Sequence, residues 1–545
     1  MKGGKKLKKT LFEKGLYMLL QGVEEQIKRF DQATGRILAE NGSWDQHDQG
    51  NMLALAFLYK TAHPLNRYYQ NKDVLGIVQK AGNALREFQN PDGTLERIKN
   101  DGSRWGSSYL AWPLYHWLET YALICDELPE ETRKSWVEGL TLAYSGVNEI
   151  LGGIRVHNMN VYHAMALQRA SKILNKSEWI CTADEMITRA IKEQKDGYWA
   201  EHLGPTTNYN RHYVHALGLY HYYGGKVDVI TSLEKSLFFH EVFTYPDGTR
   251  VETIDGRVKY NPIVRMMGTP GFSLLPRGRD YCRFLMERAE LDGKDIFSPD
   301  LAVLLMNIKT DEEETPSLVR QSQYELEFIN AYVIKKSNIF VCMSGFTAPV
   351  SESRWAQDRQ MFVSVWHSSC GLFIGGGNSK KQPERSTFVI LKGDEVHSYV
   401  PDKGTVKKAQ KQLSLHYADI KCNIRIDKID SDSVSFVFNA ELKEGNKATL
   451  NLPIMLTEKS RIKTDRGYEW IVGEDNIEFS EADGKHWIQV NAATLEFEGP
   501  LSFKWPSLPF DPYNKNGIAS MEQAVAILTL PVNKKSQRIS IKFEG

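Results

Sequence analysis

Cysteine is scarce, with six in 545 residues. None forms a Cys-x-x-Cys pair and no Cys/His spacing resembles a zinc site, which excludes a metal-stapled or redox-motif reading. Cys125, Cys181, Cys282, Cys342, Cys370 and Cys422 read instead as free, mostly buried thiols of a reducing compartment. Net charge is absent too. Lysine plus arginine total 68 and aspartate plus glutamate total 68, which excludes the basic excess of a dedicated nucleic-acid binder and leaves room for a local basic pocket. No apolar run is long enough to span a bilayer. Lys2, Lys5, Lys6, Lys8 and Lys9 precede an apolar stretch that Glu13 and Lys14 interrupt and Glu24 and Glu25 follow, with no small-residue cleavage site. That predicts an amphipathic first helix rather than a signal peptide, and a cytoplasmic setting, or a periplasmic one if a signal has been removed. No strict internal repeat is present, which excludes a regular solenoid.

What is present is length, two periodicities and aromatic rings. A chain of 545 residues exceeds one compact core and suits two large domains. Up to about residue 309 the pattern is helical. Apolar stretches at Asn51–Tyr59, Val74–Phe88, Ser107–Cys125, Thr132–Ile150, Val161–Leu174, Trp179–Lys192 and Arg211–Tyr223 are separated by glycine and Pro-Asp-Gly turns. Helices of this length, with no strand pattern between them, predict helical hairpins closing into an incomplete α/α toroid whose loops gather into a cleft. After the acidic stretch Asp311-Glu312-Glu313-Glu314 the period becomes two. Tyr324–Ile334, Met361–Trp366, Gln412–Tyr417, Ser433–Phe438 and Ile539–Phe543 alternate apolar with polar residues. Many short alternating strands predict an antiparallel β-sandwich. The expected architecture is an α+β multidomain chain: an α/α-toroid catalytic domain at 1–312 and a β-sandwich domain at 317–545. Gly375-Gly376-Gly377 lies among strands, so a phosphate loop is a poor reading of it. The 12 Trp, 24 Tyr and 23 Phe mainly serve packing, and some suit a sugar-binding cleft through ring stacking.

Three segments of the helical half carry candidate chemistry. The first, His157-Asn158-Met159-Asn160-Val161-Tyr162-His163, opens a helix that Asn158 or Asn160 could N-cap; it would also present an amide and an imidazole at a helix start. The second runs from Asp196-Gly197 through Glu201-His202-Leu203-Gly204-Pro205 to Tyr209-Asn210-Arg211-His212-Tyr213. Tyr209, His212 and Tyr213 share a helical face if the helix begins by Tyr209. The third, Tyr245 to Arg257, reads as a turn and loop bearing Arg250, Glu252, Asp255 and Arg257; arginine suits a bidentate grip on a carboxylate, and a plain solvated loop is the competing reading. Arg104-Trp105 on a loop and Trp112 on a helix add a further wall.

An asparagine-led helix, then Asp-Gly, Glu, Tyr and His, then Pro-Asp-Gly with a β domain following, resembles the heparinase II/III-type polysaccharide lyases and their α/α-toroid relatives. The resemblance implies that an asparagine holds the uronate carboxylate, that a tyrosine or histidine removes the C5 proton, and that a tyrosine protonates the leaving oxygen. Carried over, Asn158 or Asn160 is the neutraliser, Tyr209 the acid and base, His212 or His163 the partner base, and Glu201 a positioner. Met159 follows Asn158 where the family often has histidine, and a Gly-Pro-Thr-Thr insertion separates Glu201 from Tyr209. The same scaffold serves exo-β-glucuronidases.

The two chemistries make different demands. Elimination needs charge neutralisation beside a proton shuttle. Hydrolysis needs two carboxylic acids across the anomeric centre, and Glu201, Glu252, Asp255 and Asp45 or Asp48 are the candidates. The expected function is cleavage at uronic acid residues of oligosaccharides, by exo-acting β-elimination. An exo-β-glucuronidase and a non-catalytic carbohydrate-binding protein are the alternatives. Asn158, Tyr209, His212, His163 and Glu201 are the expected catalytic residues; Arg104, Trp105, Trp112, Asn160, Arg211, Tyr213, Arg250 and Arg257 are the expected substrate contacts. No metal or cofactor is expected, the partner is the glycan rather than nucleic acid or membrane, and a homo-oligomer is left open. The β half contributes to the site only if residues such as those around Arg354 and His367 reach it.

Overall fold

The computed structural model describes residues 10–292, 298–308, 313–473 and 475–544. The lysines from Lys2 to Lys9 and the acidic pair Asp311-Glu312 lie outside the described residues. Internal contacts divide the chain into two compact units. The first comprises Met1–Gly197, Tyr209–Phe238 and Ile263–Ser317; the second comprises Tyr198–Asn208, Phe239–Pro262 and Leu318–Gly545.

The helices are α1 (Leu11–Lys28), α2 (Asn51–Lys60), α3 (Lys72–Phe88), α4 (Ala111–Ile124), α5 (Glu130–Leu151), α6 (Asn158–Ile173), α7 (Trp179–Glu193), α8 (Thr207–Tyr222), α9 (Ile230–Val242), α10 (Thr269–Phe272), α11 (Pro276–Asp292) and α12 (Ser298–Asn307). Helix α1 is amphipathic, as its sequence predicts, and opens on a capping box: Glu13 N–H donates to the Thr10 hydroxyl at 3.1 Å and Thr10 N–H to the Glu13 carboxylate at 2.8 Å. Helices α1, α3, α5 and α7 each bury a single apolar stripe, whereas α2, α4 and α6 are buried on nearly every side. A helix apolar all round must sit inside, and one with a stripe must sit outside it. The alternation therefore builds two layers, with α2 packed on α4 and α4 on α6. Helix α12 returns to pack against α1 and α2, so the last helix of the series meets the first. This is an α/α toroid.

Strands do interrupt the helical series, contrary to expectation. Leu95–Ile98 pairs with Arg104–Ser108, and Phe30–Asp31 with Arg36–Ile37. The helix expected from Ser107 consequently starts at Ala111. Asn100-Asp101-Gly102 is the cause: Gly102 takes φ +75° and its N–H donates to Lys99 C=O at 2.8 Å, closing a hairpin turn. Arg104 and Trp105 thus lie on a strand, not on a loop. Neither Asn158 nor Asn160 caps α6. His157 takes the cap position with extended backbone and no side-chain cap bond.

The second unit contains, among the described residues, antiparallel sheets of eleven and nine strands. Val341, Leu415, Phe436, Leu450, Phe503 and Ile541 belong to the single core of this β-sandwich. Gln412–Tyr417 is a strand at its predicted bounds, while the alternating run Tyr324–Ile334 is two strands, Gln323–Phe328 and Ala331–Lys336. Ile329 and Asn330, at φ 45° and 56°, make the tight turn between them, and the unbroken alternation masks it in the sequence. Three of the six cysteines are buried (Cys282, Cys342 and Cys422), fewer than expected; Cys181 and Cys370 are exposed, and none is in a disulfide.

Candidate active site

Helix α8 starts at Thr207 because a distant carboxylate holds its first turn. Asp255 accepts from the Thr207 hydroxyl at 3.1 Å and from Asn208 N–H at 3.2 Å, and also from the N–H groups of Arg257 and Val258 at 2.8 Å each. A carboxylate at this end satisfies donors that the helix leaves open and complements its dipole. The early start puts Tyr209 and His212 one turn apart. Their ring centroids lie 5.6 Å apart.

Within the first unit His212 also meets Trp112 of α4 edge-on at 5.1 Å. The Trp112 indole in turn contacts His47 at 5.3 Å and Tyr162 of α6 at 5.7 Å. Tyr162 stacks on His215 with centroids 5.6 Å apart and planes 12° from parallel. Asn158 is fully buried, one helical turn before Tyr162 and so on the same face of α6. Tyr209, His212 and Trp112 are half-buried, which leaves ring surface for a ligand. Sequence reasoning missed His47, Tyr162 and His215. The only sequence signal for His215 is its three-residue spacing from His212.

The imidazoles around this cluster are kept neutral. Burial pushes His116 down to about 3 and His163 down to about 4, with the Tyr109 hydrogen bond opposing the second shift. His47 and His215 lie well below their ordinary value, again through burial first; for His47 the charges of Arg97, His116 and His212 add to it. Burial drives the phenols of Tyr115, Tyr144 and Tyr162 upward. Asp300 on α12, also missed in the sequence, rises to about 7 by burial, against the pull of Arg265. Burial thus favours the neutral forms of the imidazoles and phenols of this wall, and in such surroundings a fixed dipole acts strongly on a developing charge.

Other expected residues have partners within the chain or lie buried. His163 Nε2 donates to the Tyr109 carbonyl at 3.0 Å. Asn160 donates to Arg155 C=O at 2.9 Å. Arg211 is 1% exposed and donates to Arg265 C=O at 2.9 Å and to the Tyr281 hydroxyl at 3.3 Å. Tyr213 is buried. Arg104 is exposed and paired with Glu96, and Trp105 donates to the Ser103 hydroxyl at 2.8 Å.

Glu201, Arg250 and Arg257 belong to the second unit. Glu201 is buried with its carboxylate 3.8 Å from the Arg257 guanidinium. Arg250 donates to the Asn208 side-chain carbonyl. The segment from Tyr245 to Arg257 is not a solvated loop: Tyr245, Arg250, Glu252 and Asp255 are all buried. Glu252 accepts from the Tyr245 hydroxyl at 2.9 Å and from Gly376 N–H at 3.3 Å, and burial raises it to about 7. Lys259 falls to about 7 by burial and donates to Gln357 at 3.0 Å and to the Asn378 carbonyl. The glycine run explains the close approach. A Cβ on Gly375 would lie 2.4 Å from the Glu252 carboxylate, and all three glycines have positive φ. A cavity of about 10 Å³ lined by Thr207, Asn208, Arg250, Glu252, Asp255 and Lys259 has room for one water. His367 is buried, bonded to Ser369 at 2.7 Å and stacked on Phe543 at 4.3 Å, a packing role. Among the described residues no group of three or more His, Cys, Asp or Glu is placed to hold a metal ion.

The chain has the fold of the α/α-toroid polysaccharide lyases. Among solved structures it is similar to a xanthan lyase of Paenibacillus, at TM-score 0.56 and 10% identity over 98% of this chain and 57% of that one. It is also similar to a variant of chondroitin AC lyase from Streptomyces coelicolor A3, at TM-score 0.54 and 11% identity over 99% and 80% of the two chains. A heparinase III aligns at TM-score 0.52 and 11% identity over 97% and 84%. No protein-family model matches the sequence, and no curated protein matches it.

Proposed function

We propose that this protein cleaves uronate-containing oligosaccharides by β-elimination, acting from the chain end, with residues 1–312 as its catalytic domain and 317–545 as a β-sandwich domain. The observation that carries this reading is the half-buried contact of Tyr209, His212 and Trp112 in a chain of lyase fold. The similar structures are named for lyases of xanthan and chondroitin, and for a heparinase. In the proposed step the dipole of the buried Asn158 amide, on the Tyr162 face of α6, stabilises the negative charge that builds on the uronate as C5 is deprotonated. Tyr209 or His212 takes the C5 proton. The C5–H electrons form the C4=C5 double bond, the C4–O bond breaks, and Tyr209 returns a proton to the departing oxygen. An ordinary phenol titrates near about 10, so an enzyme running on Tyr209 works best at neutral to alkaline pH.

Three of the carboxylates that would support hydrolysis are already engaged. Asp45 pairs with Arg97 and accepts His47 N–H at 2.9 Å, Asp255 holds four donors, and Glu252 holds two. This favours elimination over the exo-β-glucuronidase reading. Six cysteines outside any disulfide fit a reducing compartment, where short imported chains rather than polymers are the substrate.

The test is incubation with a panel of uronate-containing oligosaccharides. An ultraviolet-absorbing unsaturated uronate is the expected product, and Tyr209→Phe should abolish it. Release of saturated glucuronic acid would establish the hydrolase instead, and binding without turnover a carbohydrate-binding protein. Rapid collapse of a long polymer's length would overturn the exo assignment.

A further inference from the structure

Within the second unit, strands of both large sheets line one groove. It is a cavity of about 550 Å³ bordered by Gln323–Phe328 and Ala331–Lys336 of the eleven-stranded sheet and by Ile420–Ile429 of the nine-stranded one. That volume falls in the range of small-molecule sites, about 300–1,000 Å³. Buried Ile334, Ile426 and Ile429 supply apolar wall. Lys336, Lys411 and Lys428 bring ammonium groups to the groove, and Glu325 and Asp427 bring carboxylates.

The two acids do not cancel the three lysines. Asp427 is held by Arg425 at 3.3 Å and by Arg538. Glu325 stands 3.5 Å from Lys411. Lys428, with its side chain 77% exposed, pairs with Asp430 at 4.0 Å. Lys336 donates to the Ile429 carbonyl of the other sheet at 3.0 Å and, among the described residues, pairs with no acid. The backbone sets where the lysines stand. Lys411 takes φ +48°, a left-handed conformation that glycine or asparagine adopts more readily, and its C=O accepts Ile426 N–H at 3.0 Å. The pairing of Ile420–Ile429 with Ser433–Ala440 shifts register between Ile426 and Lys428, and such a bulge re-aims the side chains beside it.

We propose that this groove binds the sulfate or phosphate ester of a small sugar. Among the described residues, the cations that line it are all lysines. A lysine is a compact point charge with three rotatable donors, so several can surround a tetrahedral oxyanion; the planar fork that grips a carboxylate belongs to arginine. The isoleucine side chains offer contact to the C–H groups of a ring, and the volume beyond one oxyanion suits a carrier of that kind. The sugar part of this assignment rests on the glycan reading above, and the oxyanion part rests on the lysines.

The test is calorimetry on the full chain at low ionic strength, with glucose 6-sulfate, glucose 6-phosphate, glucose, and inorganic sulfate and phosphate as probes. At least one ester should bind and glucose should not; the tighter ester names the source of the oxyanion. Lys336→Gln and Lys411→Gln should each weaken that binding about fivefold, the size of one partly exposed charge contact, and added salt should weaken it further. Thermal melts check the fold of each variant, and Lys428→Gln supplies a second reading if Lys336→Gln loses its cross-sheet bond and does not fold. Lys447→Gln, at a lysine that does not line the groove and pairs with Asp394, should leave Kd unchanged. No binding of either ester, equal affinity for the inorganic ions, or an unchanged Kd in both Lys411→Gln and Lys428→Gln would each overturn the proposal. Ester binding that Lys411→Gln weakens, in a protein that turns over no uronate oligosaccharide, would uphold the site and remove the elimination reading.

Discussion

Glu252→Gln should make the protein relatively more stable the higher the pH. Glu252 is 2% exposed, and burial raises its carboxyl from 4.5 in the unfolded chain to about 7 in the fold. The folded state therefore favours the protonated acid. Its contribution is fully present below about 4.5 and is lost as pH rises through 7, because the unfolded chain releases the proton first. The gap spans about two and a half pH units, and at about 1.4 kcal/mol per unit ionisation removes roughly 3 kcal/mol above pH 7. Glutamine keeps the shape, still accepts from Gly376 N–H and can donate to the Tyr245 oxygen, and it carries no charge at any pH. Urea titrations of both proteins, followed by intrinsic fluorescence at about pH 5 and about pH 8, should show the stability difference swinging by roughly 2.5 kcal/mol in favour of the variant. An equal difference at both pH values would refute the reasoning, since it would mean that Glu252 titrates alike in the folded and unfolded chains.

Three further outcomes follow from the same geometry. His163→Gln should blunt acid sensitivity: the imidazole falls to about 4 in the fold against 6.5 unfolded, so its stabilisation is present above 6.5 and lost as pH drops toward 4. Between about pH 7 and about pH 5 the variant should gain roughly 2 kcal/mol on the parent in denaturant titrations. Asp255→Asn should cost about 1–3 kcal/mol by weakening the hold on the first turn of α8, read as a lowered melting temperature. Gly375→Ala should lose at least about 1–3 kcal/mol in urea titrations, since its φ is +149° and the new Cβ would meet the Glu252 carboxylate at 2.4 Å.

Much of the architecture was legible before any coordinates. The switch from helical to alternating period marks where the strands of the two large sheets begin, because side-chain burial repeats with the geometry of each element. Tyr209 and His212 were paired by spacing alone, and their contact needs only the helix that carries them. Local turn chemistry hid more. Asn100-Asp101-Gly102 places Arg104 and Trp105 on a hairpin strand, and His157 rather than an asparagine caps α6. The segment Tyr245 to Arg257, polar enough to read as a solvated loop, is buried because Asp255, Glu252 and Arg250 each find partners distant in sequence.

By itself the sequence determined the class of each half and the spacing that sets Tyr209 and His212 one helical turn apart. These depend on composition and short-range period, which one strand or helix expresses alone. Only the tertiary structure decided which polar groups are spent on the fold. Arg211 and His163 looked as suitable as Arg257 and His212, yet burial and a backbone carbonyl claim the first two. The partners that make that choice lie 54 residues away in each case, beyond the reach of any local pattern.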